Sequence, residues 1–219
     1  MSNSPAKTAL VVGATGLIGK QVVQYLLDSP AYSEVRVLVR NPLGISDTKL
    51  KEIRYDFSNP DPAVVRGDDI FCCLGTTMKK AGSKEAFRKV DLEYPLQVAR
   101  LAKQNGARQY LIVTAMGADS DSMFFYNQVK GDVQEELKAL QFPTLRIFQP
   151  SLLLGNRQET RLGEKIGEGL AVFFKPLMVG PLRKYRAIDS ARVARAMVTL
   201  AQKPETGVFV YDSDQLQKY

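Results

Sequence analysis

Apolar residues along the chain recur at two spacings, and the two spacings define its elements. Residues 8–12 (T-A-L-V-V) form an apolar run of strand length. After a glycine-rich turn, Leu17, Val22, Val23, Leu26 and Leu27 recur at helical spacing. A helix is therefore expected over 17–27, ended by Ser29-Pro30. Further strands are expected at 35–39, 53–57, 69–74, 109–114, 144–148 and 208–211. Further helices are expected at 94–104, closed by Gly106, and at 125–140, 163–174 and 190–202. The last of these carries Val193, Ala194, Met197 and Leu200 on its inner side. Strands alternating with helices predict an α/β fold, a doubly wound parallel sheet with helices on both faces. With no linker or repeat, the expectation is one domain over 1–219, with a small C-terminal substrate cap drawn mainly from 151–219.

Composition removes several function classes. Hydrophobic residues make up 45% of the chain, enough for a packed core. No apolar run reaches the roughly 18 to 20 residues that span a bilayer. The first eight residues are polar and lack a secretory pattern, so a cytoplasmic protein is expected. The net charge is +7, but the basic residues cluster only at Lys79-Lys80 and around Arg183, Lys184 and Arg186. A nucleic-acid partner needs a larger patch and is not expected. An anionic cofactor or substrate suits the same excess. There are no histidines, which excludes Ser-His-Asp and Cys-His catalysis and histidine metal ligands. Cys72 and Cys73 are neighbours, a poor disulfide and an incomplete zinc site, so no metal is expected. Proton transfer must then fall to carboxylates, a lysine or a tyrosine.

The glycine turn carries the first functional signal. Gly13-Ala14-Thr15-Gly16-Leu17-Ile18-Gly19 follows the first strand and opens the first helix. Glycines there allow a tight turn and let backbone approach a pyrophosphate, while the helix N-terminus offers free N–H groups. The sheet is therefore expected to be Rossmann-like. Gly13, Thr15, Gly16, Leu17, Ile18 and Gly19 are the expected contacts of a dinucleotide. An NAD binder places an acid about 20 residues beyond this turn, at the end of the second strand. The strand here ends Val39-Arg40-Asn41, without an acid. A guanidinium at Arg40 suits the 2′-phosphate of NADP(H). The alternative is a solvated arginine at a strand end.

The second signal is Tyr126 and Lys130, four apart at the start of an expected helix and therefore on one face. No other tyrosine in the chain has a lysine four residues on. A neighbouring ammonium stabilises a phenolate, so the pair is suited to protonate a carbonyl oxygen or deprotonate an alcohol as hydride moves. The lysine could also hydrogen-bond the cofactor ribose. The spacing alone proves little. Its place just after the fifth strand of a glycine-fingerprint domain gives it weight.

With both motifs placed, the chain resembles the short-chain dehydrogenase/reductase superfamily, as an atypical member close to the Tat-interacting-protein oxidoreductases. The matching stretches are G-A-T-G-L-I-G at 13–19, F-C-C-L-G-T-T at 71–77, M-G-A-D at 116–119, Y-N-Q-V-K-G at 126–131 and N-R-Q-E-T-R at 156–161. The resemblance implies a Rossmann-like fold and an NADP(H)-dependent oxidoreductase acting on a small carbonyl or alcohol. It implies Tyr126 as acid/base and Lys130 as its tuner, and Leu74, Gly75 and Thr76 along the cofactor. Asp56, at the end of the third strand, would contact the adenine. The superfamily's usual serine at the end of the fifth strand is missing. The strand ends Val113-Thr114-Ala115, so either Thr114 substitutes in catalysis or the site is weakly catalytic. A non-catalytic NADP(H)-binding regulator therefore stands as the alternative. Arg157, Gln158, Glu159 and Arg161 are open to a surface ion-pair cluster or to recognition of a polar ligand end. The apolar run 169–180 is open to a buried cap, a homodimer contact or a membrane-surface contact.

Overall fold

The computed structural model describes residues 6–155 and 186–219. Its strands are β1 (Lys7–Val12), β2 (Tyr32–Val39), β3 (Leu50–Arg54), β4 (Asp69–Cys72), β5 (Gln109–Val113), β6 (Thr144–Gln149), β7 (Leu153–Leu154), β8 (Ile188–Asp189) and β9 (Gly207–Asp212). Its helices are α1 (Leu17–Asp28), α2 (Met78–Ala81), α3 (Lys84–Arg88), α4 (Tyr94–Gln104), α5 (Phe125–Ala139), α6 (Ser190–Ala201) and α7 (Ser213–Leu216). Seven strands build one sheet in the order β3-β2-β1-β4-β5-β6-β9, every pairing parallel, while β7 and β8 pair separately. This is the expected Rossmann-like sheet. Its order reverses direction beside β1, and ligands bind such sheets beyond the carboxyl ends of the strands at that point.

The two faces are sorted residue by residue. In β1, Ala9 and Val11 join Val22, Val23, Leu26, Val193 and Met197, so α1 and α6 cover one face. Leu10 and Val12 join Leu96, Val98, Val129 and Val133, so α4 and α5 cover the other. Strand side chains alternate in direction, so an uninterrupted apolar run signals burial on both faces.

Several boundaries depart from the sequence expectation. The third strand lies at Leu50–Arg54 rather than 53–57, in register with β2 from Val35↔Leu50 to Val39↔Arg54. The aromatic residues that suggested strand beyond it pack with each other. Tyr55 meets Phe57 edge-on at 4.9 Å, and Phe57 stacks on Tyr94 at 4.6 Å. β4 and β5 stop at Cys72 and Val113, before Leu74 and Thr114. The expectation also left 78–93 blank. Thr77 and Ser83 cap α2 and α3 there, accepting from the Lys80 and Ala86 amides at 3.2 and 3.1 Å, and a π-helical turn (Lys89–Glu93) leads into α4. The expected helix 163–174 and the segments 156–161 and 169–180 lie outside the described residues. No helix among the described residues is long and apolar enough to cross a membrane.

A buried polar chain ties the strands together beneath α6. Asp69 accepts from Tyr32 Oη at 2.7 Å and from Gln109 Nε2 at 3.0 Å, and pairs with Lys7 at 3.0 Å. Gln109 in turn accepts from Nε of the fully buried Arg146 at 2.8 Å, and Arg146 also donates to Tyr211 Oη. Burial and the Asp69 charge push the Tyr32 phenol far above its ordinary value. A phenol held protonated in the fold but free to ionise when unfolded stabilises the fold below about pH 10. That stabilisation is lost as pH rises further. Tyr32→Phe is expected to cost about 1.5 to 3 kcal/mol at neutral pH, the range for a bond to a charged acceptor. It should also flatten the stability loss above about pH 10. Denaturant titration of both proteins across that range checks both effects.

Candidate active site

The site begins where β1 ends. Gly13 has φ +82°, and a Cβ there would lie 2.5 Å from the Cys73 carbonyl oxygen. A Cβ on Gly19 would lie 2.1 Å from the Gly13 carbonyl oxygen. Both are therefore glycine because the turn, α1 and β4 meet backbone to backbone. Gly16 differs. Its φ of −76° suits any residue, and a Cβ would meet its nearest atom, the Gly13 oxygen, at 3.2 Å. No side chain caps α1 at Gly16. The turn thus leaves a cradle at the start of α1, where a helix leaves its first amides without intrahelical partners, a setting that suits a pyrophosphate. Thr15 is exposed and Ile18 is buried.

Arg40 follows β2 and is exposed. It lines a hollow of about 300 Å³ with Val39, Asn41, Pro42, Glu52 and Arg54. Arg54 was missed by the sequence reading. It ends β3 directly opposite Val39, a position visible only once the register is known. Glu52 is already engaged, accepting from the Leu43 amide with both oxygens. Among the described residues neither Arg40 nor Arg54 is ion-paired. Asp56 does not end a strand. It lies two residues past β3, exposed, and caps its own turn by accepting from the Ser58 amide at 2.9 Å.

Leu74, Gly75 and Thr76 form the loop after β4, and the structure joins two of them to Lys130. Lys130 is buried on α5, its ammonium 2.7 Å from Asp91 Oδ1. Asp91 Oδ2 accepts from the Thr76 amide at 2.9 Å, and a Cβ added to the neighbouring Gly75 would meet Oδ1 in ordinary contact at 3.6 Å. Asp91 sits in the π-helical turn, within a stretch where the sequence pattern gave no element. Its flanks, Val90 and Leu92, were the available signal that position 91 turns inward. Cys72 is a buried strand residue whose thiol is pushed up by burial, which fits a core role.

Tyr126 lies in the first turn of α5, one turn before Lys130. It is 40% exposed, its ring 5.6 Å from that of Phe87. Its helix is fixed by a close fit, since a Cβ on Gly131 would lie 2.1 Å from the Ser120 amide nitrogen. The Asp119 amide also donates to the Asn127 carbonyl at 3.0 Å. Thr114 is buried, and its hydroxyl is engaged twice. It donates to the Phe148 carbonyl at 3.3 Å and accepts from Gln134 Nε2 at 2.9 Å. Ala115, half-buried, follows it without a polar side chain.

Comparison with known proteins agrees with this geometry. A family model described as NAD(P)H-binding matches residues 13–142. Protein HTATIP2 of Rattus norvegicus is 35% identical over 207 residues, which cover 92% of this chain and 84% of that protein. A Candida albicans protein named "Protein FMP52, mitochondrial" is 31% identical over 224 residues, covering 96% and 97%. Among solved structures, MoeE5 in complex with UDP-glucose and NAD superposes with a TM-score of 0.69 at 15% identity, covering 95% of this chain and 79% of that one. A structure titled gox2253 gives a TM-score of 0.70 at 18% identity, covering 94% and 69%. At such identities the structures speak for the fold alone.

Two substitutions separate ligand contact from packing. Gly19→Ala should destabilise the protein by about 3 kcal/mol or prevent folding, because backbone occupies the space. Gly16→Ala should stay within about 1 kcal/mol of the parent while losing tenfold or more in dinucleotide affinity. Thermal melts and calorimetry of the two variants test the contrast. Equal dinucleotide affinity in folded Gly16→Ala would mark the turn as purely structural.

Proposed function

The chain belongs to the NAD(P)H-binding family, as an atypical short-chain dehydrogenase/reductase resembling HTATIP2, and on that premise we propose an NADP(H)-dependent oxidoreductase of a small carbonyl or alcohol. The observation that carries this reading is convergence on one sheet edge. The glycine cradle, the arginine hollow, the loop 74–76 and the Tyr126–Lys130 turn all follow strands that end on the same side.

Each group then has a task. The amides at the start of α1 hold the pyrophosphate, over a turn that keeps side chains away. Arg40 and Arg54 clasp the 2′-phosphate, the feature that separates NADP(H) from NAD(H). Lys130, fixed by Asp91 beneath Gly75 and Thr76, donates to the ribose. When bound, the nicotinamide supplies or accepts the hydride. The Tyr126 hydroxyl gives its proton to the carbonyl oxygen in reduction, and its phenolate takes the proton of the alcohol in oxidation. Thr114 would assist at the carbonyl only by withdrawing its proton from the Phe148 carbonyl, to which its hydroxyl donates. The compartment expected is the cytoplasm, against the mitochondrial naming of the FMP52 relatives, and cell fractionation decides between them.

A second reading rests on Thr114 and Ala115. With one hydroxyl engaged and no other at the strand end, the protein would bind NADP(H) as a regulatory ligand without turnover.

The cofactor preference is tested by calorimetry. Arg40→Ala and Arg54→Ala should each weaken NADPH about tenfold or more and NADH little, since a charge-assisted bond to phosphate is worth about 1.5 to 3 kcal/mol. Equal affinity of the parent for both cofactors would remove the NADP(H) assignment.

The chemistry is tested with a panel of aldehydes and ketones. Tyr126→Phe should keep NADPH affinity and lower turnover by about 10²-fold or more. Parental turnover in that variant would overturn the role of Tyr126. Tight NADPH binding with no turnover across the panel would favour the regulatory reading.

A further inference from the structure

Arg186 carries a charge that the described residues do not answer. The side chain is half-buried, and its Nε is closed off from water with no hydrogen-bond partner. Among the described residues its guanidinium makes no ion pair. An arginine keeps its proton in proteins, and a charge withdrawn from water without a partner is costly. The acids nearest in sequence on either side of α6 already cap helices. Asp189 accepts from the Ala191 amide at 2.8 Å, and Asp212 from the Gln215 amide at 2.8 Å. The backbone around Arg186 is held at three points. Its own carbonyl accepts from the Ser151 hydroxyl, which also shares a hydrogen bond of 2.8 Å with the buried Ser213. The Ala187 carbonyl accepts from Gln217 at 3.1 Å, and the Ile188 amide donates to the Leu152 carbonyl at 2.9 Å. Ser151 lies just beyond β6, and the Pro150 carbonyl before it accepts the Met116 amide, from the loop after β5, at 3.0 Å. Arg186 is thereby tied to the carboxyl ends of β5 and β6. The Arg40–Arg54 hollow follows β2 and β3, with the glycine turn and the loop 74–76 between the two places.

We propose that Arg186 anchors the substrate by binding an anionic group, a carboxylate or a phosphate, on the molecule whose carbonyl meets Tyr126. The inference rests on the oxidoreductase reading above and gives that reading a substrate class. A dinucleotide laid from the arginine hollow past the glycine turn and the loop 74–76 brings its nicotinamide to the ends of β4 and β5. The substrate then lies toward β6, beside Arg186. The planar fork of a guanidinium suits either anion in bidentate fashion. A backbone fixed on both sides of the residue lowers the ordering cost of binding. A neutral carbonyl compound leaves the Nε as it stands, buried and without a partner, so the site discriminates against it.

The experiment uses three aldehydes built on one ring: 4-carboxybenzaldehyde, 4-formylphenyl phosphate and the neutral 4-methylbenzaldehyde. Calorimetry with NADP+ bound measures their binding apart from turnover, since the oxidised cofactor has no hydride to give. The parent should bind one or both anionic aldehydes about tenfold or more tightly than the neutral one, the margin of a charge-assisted bond. The tighter of the two identifies carboxylate or phosphate as the group recognised. Arg186→Gln should abolish the margin while 4-methylbenzaldehyde and NADP+ stay within about twofold of the parent. Arg186→Lys, which keeps the charge but not the fork, should retain part of it. With NADPH, Arg186→Gln should raise KM for the anionic aldehyde and leave kcat nearly unchanged, as loss of uniform binding does. A parent without the margin would overturn the anchor. So would a margin that survives Arg186→Gln, or a loss shared equally by the neutral aldehyde and NADP+. A margin that depends on Arg186, with no turnover of any aldehyde by NADPH, would sustain the anchor and overturn the oxidoreductase reading alone.

Discussion

Backbone touches backbone at the point where β1 gives way to α1, and the upper edge of the sheet is arranged around that contact. The Gly13 turn lies against the Cys73 carbonyl, and Gly19 lies against the Gly13 carbonyl. Three segments are thus brought within a distance that no side chain permits. Because β1 and β4 are neighbours, the turn and the loop after β4 form adjacent walls of one crevice. That loop in turn places Gly75 and Thr76 over Asp91, which reaches Lys130. A fault at Gly13 or Gly19 would therefore pass through α1 and β4 to the far side of the site.

Much of the frame was legible because its elements are long and buried. The apolar runs of β1, β5 and β6 and the helical spacing in α1, α4 and α6 fixed type and place together. The failures share a cause. β3 is half-exposed and its pattern is weak, while Tyr55 and Phe57 beyond it are apolar for reasons of ring packing. Register with β2 decided the matter, and register is a tertiary fact. Arg54 was invisible for the same reason. Asp91 was hidden in short helices whose capping residues, Thr77 and Ser83, are readable only as local hints. Glycine-turn residues were readable as a group, but Gly16 could be separated from Gly13 and Gly19 only with coordinates.

The polar residues around β5 show how a fold and an activity diverge. Thr114 carries a hydroxyl at the end of a strand that faces the crevice. Yet Gln134 and the Phe148 carbonyl hold it, and Gln149 extends the chain by donating to Gln134 at 3.0 Å. The hydroxyl serves to join β5, β6 and α5. Its place just after β5 singles the residue out, while its bonding partners limit its use. Tyr126 is the reverse case, 40% exposed and, among the described residues, held by ring packing on Phe87. Of the two hydroxyls expected to take part in the chemistry, Thr114 and Tyr126, only the first is engaged among the described residues.

The short β7–β8 ladder has a consequence for how this molecule can change. Leu153 pairs with Ile188 and Leu154 with Asp189, and the Ile188 amide donates to the Leu152 carbonyl at 2.9 Å. Ser151 also donates to the Arg186 carbonyl. Residues 151–154 and 186–189 are therefore pinned side by side, as if by a clasp. Closing a loop across such a clasp grows costlier only with the logarithm of its length, about 0.6 kcal/mol per doubling. The contacts that fix the glycine turn and the Lys130–Asp91 pair come from 13–19, 73–76, 91 and 130, so a change of length between Gly155 and Arg186 removes none of them. Descendants of this chain could acquire new segments there while keeping one unchanged dinucleotide frame.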